Sequence, residues 1–396
     1  MSAGVRGIIG GLALALLPLA QAAAACPVPA WPLWQRYASQ FVQADGRVLE
    51  SAMAADQSTS EGQAYAMLFA LVGNDQPRFD ALWRWTTANL AGGDIAMHLP
   101  GWLWGRGNDG QWQIQDAHSA SDADLWFAYA LLEAARVWHQ PGYRDDARKL
   151  LANVMLQLLV TLPGLGLMVL PGPQGFAGED HLWRLNPSYL PLPLLRRLAL
   201  DSDERLWHAV ANTSVTLLQH GSLHGFAADW VGYRATSEQG GLWVIDPIKG
   251  DVGSYDAIRV YLWLGLGAAT EPKATMLLRT LDGMLAPTAS QGVPPETVSL
   301  STGTTQGQGP FGFSAALIPY FQALGHPWLA DLQRRRVDQA LQAELANPVT
   351  GRNAPRYYNL MLSLFALGWA DHHYRFRDDG TLSLSWETAC PRTTQP

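Results

Sequence analysis

The chain has 396 residues, 15% of them charged, and a formal net charge of −7. That balance offers no basic surface to a nucleic-acid backbone, and the length is enough to bury a large core as one or two domains. Tryptophan is in excess, with 17 copies; such side chains fill cores, and they also suit stacking on the flat faces of sugar rings.

At the N-terminus Arg6 precedes the apolar run Ile8 to Ala20, and the small residues Ala22 to Ala25 supply a cleavage site of the A-x-A kind. Residues 1–25 are expected to be a signal peptide cleaved near Ala25–Cys26, leaving 26–396 as a single domain. The apolar run falls short of the ~20 residues a membrane span needs, and no later segment qualifies. The mature protein is therefore expected to be periplasmic or secreted. Export gives the cysteines two readings. Cys26 would open the mature chain and Cys390 nearly ends it, so an oxidising compartment favours a bridge between them. Lipidation of Cys26 is the rival, although Ala23-Ala24-Ala25 lacks the leucine such signals usually carry.

Beyond the signal, apolar periodicity predicts helices over 31–43, 60–73, 76–91, 121–139, 143–161, 187–199, 203–220, 254–269, 272–285, 311–324, 327–345 and 355–371. Residues Tyr374 to Trp386 alternate around Asp379-Gly380 and read as a hairpin. Short connections such as Gly73-Asn74-Asp75 alternate with the long segments 92–120, 162–186, 221–253 and 286–310. Helices that follow long loops, such as Tyr357 to Ala370, are apolar nearly all round and belong inside the molecule. Those after short turns, such as Tyr143 to Thr161, carry a charged face. Short turns make antiparallel neighbours, so the simplest closed solution is all-α: six inner helices, mutually parallel, within six outer ones. All inner helices then start at the end that carries the long loops, where the site is expected.

Three carboxylates begin inner helices. Glu61 lies in Ser58-Thr-Ser-Glu-Gly-Gln-Ala-Tyr65, Asp122 in Ser119-Ala-Ser-Asp-Ala-Asp124, and Asp256 in Gly253-Ser-Tyr-Asp-Ala-Ile-Arg259. Each has a plain structural reading. Ser58-x-x-Glu61 and Ser119-x-x-Asp122 resemble capping boxes, and the helix dipole welcomes an acid at Asp256. Together they point elsewhere, because the double ring gathers them at one face. Two carboxyl groups across a groove are the minimum apparatus for glycosidic cleavage. A helix N-terminus lowers a carboxyl pKa, so the acid needs desolvation or a like-charged neighbour to stay protonated; Tyr65, Trp102 and Trp104 are candidates for a partly dry wall. Asp124 reads as structural, holding loop backbone.

The segment Ala120-Ser-Asp-Ala-Asp-Leu-Trp-Phe-Ala-Tyr-Ala-Leu-Leu-Glu-Ala-Ala-Arg-Val-Trp138 closely resembles the signature of family 8 of the glycoside hydrolases, formerly cellulase family D, departing only where Phe127 replaces isoleucine or methionine. Ser60 to Tyr65, Arg184-Leu-Asn-Pro-Ser-Tyr-Leu-Pro191, Gly253 to Trp263 and Gly312-Phe-Ser-Ala-Ala316 extend the resemblance over essentially the whole mature chain. It is nearest the periplasmic endoglucanases made alongside bacterial cellulose synthases. The resemblance implies an (α/α)6 barrel and hydrolysis of β-1,4-glycosidic bonds with inversion. Glu61 matches the general acid, Asp256 the general base, and Asp122 a carboxylate that grips and distorts the sugar ring. Tyr255 and Arg259 match neighbours of the base, Trp102 resembles a stacking platform, and Tyr189 and Arg184 are placed by motif context at an inner-helix start. The implied partner is a β-1,4-glucan chain, with a cellulose synthase complex as a candidate second partner. Alternatives are a chitosanase, xylanase or mixed-linkage glucanase of the same family, or a non-catalytic glucan-binding assembly protein.

Other features have plainer readings. The ten histidines show no metal-ligand spacing, and the chemistry calls for no metal and no cofactor. Gly303-Thr-Thr-Gln-Gly-Gln-Gly309 lacks the Lys-Ser/Thr ending of a phosphate loop and reads as a mobile groove wall. Arg334-Arg335-Arg336 reads as a solvated outer face, and Trp83 and Trp85 as packing residues of their helix.

Overall fold

In the computed structural model, residues 1, 30–50, 57–178, 180–346 and 356–389 are described. The expected cleavage site, Cys26 and Cys390 lie outside them. In chain order the helices are α1 (Pro32–Phe41), α2 (Ser60–Val72), α3 (Gln76–Asn89), α4 (Ser121–Trp138), α5 (Pro141–Leu158), α6 (Leu192–Asp201), α7 (Glu204–His220), α8 (Ile258–Gly267), α9 (Ala274–Thr280), α10 (Leu285–Gln291), α11 (Phe311–Ala323), α12 (Pro327–Ala346), α13 (Arg356–Ala370) and α14 (Ser385–Ala389).

Burial separates them into two rings. Every residue of α2 except Glu61 is buried, as is every residue of α8. In α4 only Arg136 and Trp138 escape. An outer helix such as α5 buries one stripe, Ala147, Leu150, Leu151 and Val154, at helical spacing. The inner helices follow one another round the circle as α2, α4, α6, α8, α11 and α13. The circle closes where Tyr65 and Phe69 meet Phe365, with ring centroids 5.3 and 4.8 Å apart. Each inner helix hands over to an antiparallel outer neighbour, and α13 takes α1 as its own, through Tyr37 and Phe41 against Tyr357. The architecture is the expected (α/α)6 barrel.

The middle of the ring is solid. Trp126 packs against Trp263 and Phe365 with centroids 5.3 Å from each, and Trp263 meets Phe365 at 4.9 Å. Inner helices also approach closely. A Cβ at Gly265 of α8 would fall on the backbone of Pro319 and Tyr320 in α11, so glycine is what permits that contact.

Three expectations shift. The helix read over 187–199 is a 3-10 turn, Pro187–Tyr189, followed by α6 from Leu192. Pro191 lacks an N–H and biases its predecessor to extended backbone, while Asn186 Oδ1 accepts from Ser188 N and Oγ at 3.0 and 2.7 Å. The helix read from 254 begins only at Ile258, because a distant carboxylate takes the N–H groups of the preceding turn. The reading of 272–285 shortens to α9, and α10 follows it unforeseen.

The long loops also carry sheet that periodicity did not reveal. Ser58–Thr59, Leu103–Arg106 and Trp112–Asp116 form one antiparallel sheet; Leu182–Leu185, Val231–Ser237 and Gly240–Ile245 form another. The glycine-rich stretch belongs to a small hairpin, Thr297–Val298 with Thr305–Gln306. Arg336 is not a solvated residue: it donates to Gly309 O at 2.8 Å and to Ser314 Oγ at 2.6 Å, pinning that hairpin's exit. Arg334 pairs with Asp338 and Asp371.

The C-terminal hairpin, Tyr374–Phe376 with Leu382–Leu384, forms as expected and continues into α14. It seals the end of the barrel away from the long loops. Tyr129 OH donates to Gly380 O at 2.7 Å, Arg136 Nη2 to Leu382 O at 2.7 Å, and Leu382 N to Glu133 Oε2 at 2.8 Å. Glu133 is fully buried and also binds Arg197 Nε at 2.6 Å.

Candidate active site

All six inner helices present their first turn, or the turn that leads into it, to one cluster. Glu61 opens α2 and Asp122 opens α4; Tyr189 precedes α6, and Asp256 precedes α8. Phe313 of α11 meets the Tyr255 ring edge-on at 5.0 Å, and Tyr358 of α13 donates its hydroxyl to Tyr255 O at 2.5 Å.

The capping-box readings of Glu61 and Asp122 do not hold. Thr59 caps α2, its Oγ1 accepting from Gly62 N at 3.1 Å, while Ser58 Oγ donates to Val48 O. Glu61 is thereby free for other partners: Oε1 accepts from Trp102 Nε1 at 3.1 Å and Oε2 from Ser60 Oγ at 3.2 Å. At α4 no side chain caps the helix. Asp122 Oδ1 accepts from Ala123 N at 2.9 Å, and its Oδ2 is buried without a hydrogen-bond partner. A buried acceptor left unpaired is costly, and a sugar hydroxyl at that position would satisfy it.

Arg259 ties the carboxylates together. Its Nη2 donates to Asp256 Oδ1 at 2.8 Å and to Ser188 Oγ at 2.9 Å, and stands 4.0 Å from Asp122 Oδ2. The other oxygen of Asp256, Oδ2, accepts from Trp230 Nε1 at 3.0 Å. Tyr189 stands beside them, its ring edge-on to Trp230 at 5.9 Å and 5.9 Å from the Arg259 guanidinium carbon.

Desolvation of the carboxyl first, and then the nearby charge of Asp122, raises Glu61 well above the ordinary range and so favours its protonated form. Asp122 is pushed up to about 6 by burial, opposed by Arg259. The charges acting most strongly on Glu61 are Asp122, Glu50 and Arg259, whereas Asp256 acts on Asp122. Arg259 thus stands between Asp122 and Asp256, bonded to the second and 4.0 Å from the first. Two carboxyl groups, Glu61 and Asp256, with the unpartnered Asp122 oxygen beside them form an apparatus for general acid–base hydrolysis.

Of the expected residues, Glu61, Asp122, Asp256, Arg259, Trp102 and Tyr189 come together. Tyr255 lies at the rim, its hydroxyl on Glu296 Oε1 at 2.9 Å. Arg184 is not at an inner-helix start: it lies in the strand Leu182–Leu185 and grips Asp246 through Nε and Nη2 at 2.7 and 3.0 Å. Its guanidinium carbon lies 5.0 Å over the Trp230 ring, so it braces a wall. Trp104 turns to Trp85, 5.7 Å away, and leaves the dry wall to Tyr65 and Trp102. Asp124 is buried beside the Ser119 hydroxyl, and burial, opposed by Ser119, raises its carboxyl well above the ordinary range. Among the described residues no loop N–H donates to it. Trp83 and Trp85 pack as expected, with Trp83 Nε1 on Asp146 Oδ2 at 2.9 Å.

Sequence reasoning passed over Trp230, Asp229, Ser188, Glu50 and Tyr358. The tryptophan excess in long loops was a signal for Trp230. Nothing local marked the others. Among the described residues no group of His, Cys, Asp or Glu is arranged to hold a metal ion, and no helix is long and apolar enough to cross a membrane.

The sequence model of Glycosyl hydrolases family 8 matches residues 6–372. An endoglucanase of Pseudomonas fluorescens (strain SBW25) is 53% identical over 370 residues, spanning 92% of this chain and 93% of that one. An endoglucanase of Xanthomonas axonopodis pv. citri (strain 306) is 45% identical, spanning 98% of both chains. Among solved structures, an endo-1,4-D-glucanase from Vibrio fischeri ES114 matches with a TM-score of 0.84 and 35% identity, over 90% of this chain and 99% of that one.

Proposed function

The chain belongs to family 8 of the glycosyl hydrolases, and from that premise we propose that it is an endo-β-1,4-glucanase acting by inversion on cellulose chains. The observation that carries this reading is the trio gathered near Arg259: a carboxyl biased toward its protonated form, an unpartnered buried oxygen, and a carboxylate with both oxygens accepting. In the proposed reaction Asp256 takes a proton from a water that attacks the anomeric carbon. The glycosidic C–O bond breaks as Glu61 delivers its proton to the departing oxygen. Asp122 Oδ2 accepts from a hydroxyl of the ring between them, and Trp102 both holds Glu61 and offers a face to sugar.

Replacing Glu61 with Gln keeps shape and hydrogen bonding but removes the proton supply. The expected result is a fall in turnover on carboxymethylcellulose of about 10²–10⁴-fold, with folding and glucan binding retained. NMR of the fresh hydrolysate is expected to show the α-anomer first. Wild-type turnover by Glu61→Gln, or a β-anomer, contradicts the assignment. Side-by-side release of reducing ends from xylan, chitosan and mixed-linkage glucan tests the competing substrates.

The finer reading is an exported enzyme serving bacterial cellulose production. The N-terminal run from Arg6 to Ala25 supports export, and the residues shared with the cellulose-associated branch of the family support the link. Mature protein is expected outside the cytoplasm, beginning at Cys26. Cellulose from cells carrying only Glu61→Gln is expected to differ from wild type; indistinguishable cellulose would remove the link to production without touching the glucanase reading.

A further inference from the structure

We infer that the dipeptide Asp229-Trp230 is a two-armed clamp that positions the general base, Asp229 gripping the backbone beneath Asp256 while Trp230 holds its carboxylate. The inference rests on the reading of Asp256 as the base.

Asp256 does not sit within a regular helix. It lies in the turn Ser254–Ala257, ahead of α8. The first N–H groups of a helix have no partner within it, and no local Ser, Thr or Asn caps this one. The cap comes from far away in the chain. Asp229 Oδ1 accepts from Ser254 N at 2.7 Å, Asp256 N at 3.1 Å and Ala257 N at 2.7 Å. One oxygen thus collects three N–H groups of a single turn, the concave arrangement in which backbone binds an anion.

The surrounding chain is built for this approach. Asp229 N donates to Val252 O at 2.9 Å, Gly253 exchanges two hydrogen bonds with Val298, and Ala227 N donates to Tyr261 OH of α8 at 2.9 Å. A Cβ at Gly253 would fall on Ala227 O, so the two segments meet backbone to backbone.

The next residue supplies the second arm. Trp230 Nε1 donates to Asp256 Oδ2 at 3.0 Å. Its indole has little freedom. Phe176 stacks on it with centroids 5.5 Å apart and planes 8° from parallel, and Arg184, fixed by Asp246, stands over the ring. Both arms descend from consecutive residues of one braced loop, so backbone and carboxylate of the base share a single reference. An inverting base must leave a water-sized gap to the sugar, and a displacement of about 1 Å at a reacting group can cost about 10²-fold in rate. Asp229 and Trp230 act through Asp256 and are positioning residues.

The test compares Asp229→Ala, Asp229→Asn, Trp230→Phe and Asp256→Asn, with kcat and KM on carboxymethylcellulose, Kd for cellopentaose, and circular dichroism. Asparagine keeps an acceptor oxygen, so Asp229→Asn is expected within about fivefold of wild-type kcat. Asp229→Ala is expected to lose about 10–100-fold in kcat with KM and Kd within about twofold, and Trp230→Phe about tenfold with the same split. Unchanged kcat in Asp229→Ala, equal losses in the Ala and Asn variants, or unchanged kcat in Trp230→Phe overturns the clamp. Should Asp229→Ala fail to fold, the Asn and Phe variants decide it. Normal turnover by Asp256→Asn would instead refute the base assignment, and so separates that failure from failure of the clamp.

Discussion

Asp122 holds an oxygen that is buried, close to a guanidinium, and bonded to nothing. Its carboxyl is pushed up to about 6, from an ordinary 3.8, chiefly by burial. Between those values the folded chain holds a proton that the unfolded chain has released, so its contribution to stability falls as pH rises through that window. Asp122→Asn is therefore expected to melt higher than wild type at pH 7.5, with the gap shrinking at pH 4, while turnover on carboxymethylcellulose collapses. Melting curves at the two pH values check this; equal or lower melting at pH 7.5 would mean that Arg259 compensates the charge in full. The three carboxylates were legible in sequence because each sits at the start of an apolar helix. The capping alternatives were equally legible and failed for a local reason, since Thr59 took the capping role and released Glu61 to Trp102. Asp229, Ser188 and Tyr358 reach the site by tertiary contact alone, and no local pattern marks such a residue.

At the scale of elements, α8 shows how tightly the inner ring sets the site. Gly265 lies against the backbone of Pro319 and Tyr320, and no side-chain rotation can relieve a clash with main chain. Gly265→Ala is expected to separate α8 from α11 and to cost about 1–3 kcal/mol of stability. It should also lower kcat, because Asp256 and Arg259 ride on the start of α8. Denaturant unfolding and steady-state kinetics on carboxymethylcellulose measure the two effects; a variant as stable as wild type would show that the helices part without penalty. The alternation of apolar and amphipathic helices made the double ring readable from periodicity. The boundaries that slipped, at α6 and α8, slipped where Pro191 and the Asp229 carboxylate override propensity. The sheets in the long loops escaped notice because several of their strands run only two to five residues, and the longer pair, Val231–Ser237 with Gly240–Ile245, shows no clean alternation of apolar and polar side chains.

The whole molecule has two unlike ends. One carries the loops and the carboxylates; the other is sealed by the C-terminal hairpin on Glu133, Arg136 and Tyr129. Along α4 the two ends are set by Asp122 and Glu133, about 17 Å apart at helical rise. Glu133→Ala would strip Arg197 of a buried partner and Leu382 N of its acceptor. It is expected to cost about 3–5 kcal/mol while leaving kcat per folded molecule near wild type. Chemical unfolding with active-fraction normalisation tests both halves; a loss of kcat matching the loss of stability would mean that the two ends are coupled.

With its centre packed by Trp126, Trp263 and Phe365, the barrel offers a polymer no tunnel to thread. On the proposed glucanase reading a long strand is laid over the mouth like thread over a blade and cut at an interior linkage, so a viscous solution is expected to thin early, well before its sugar titre climbs.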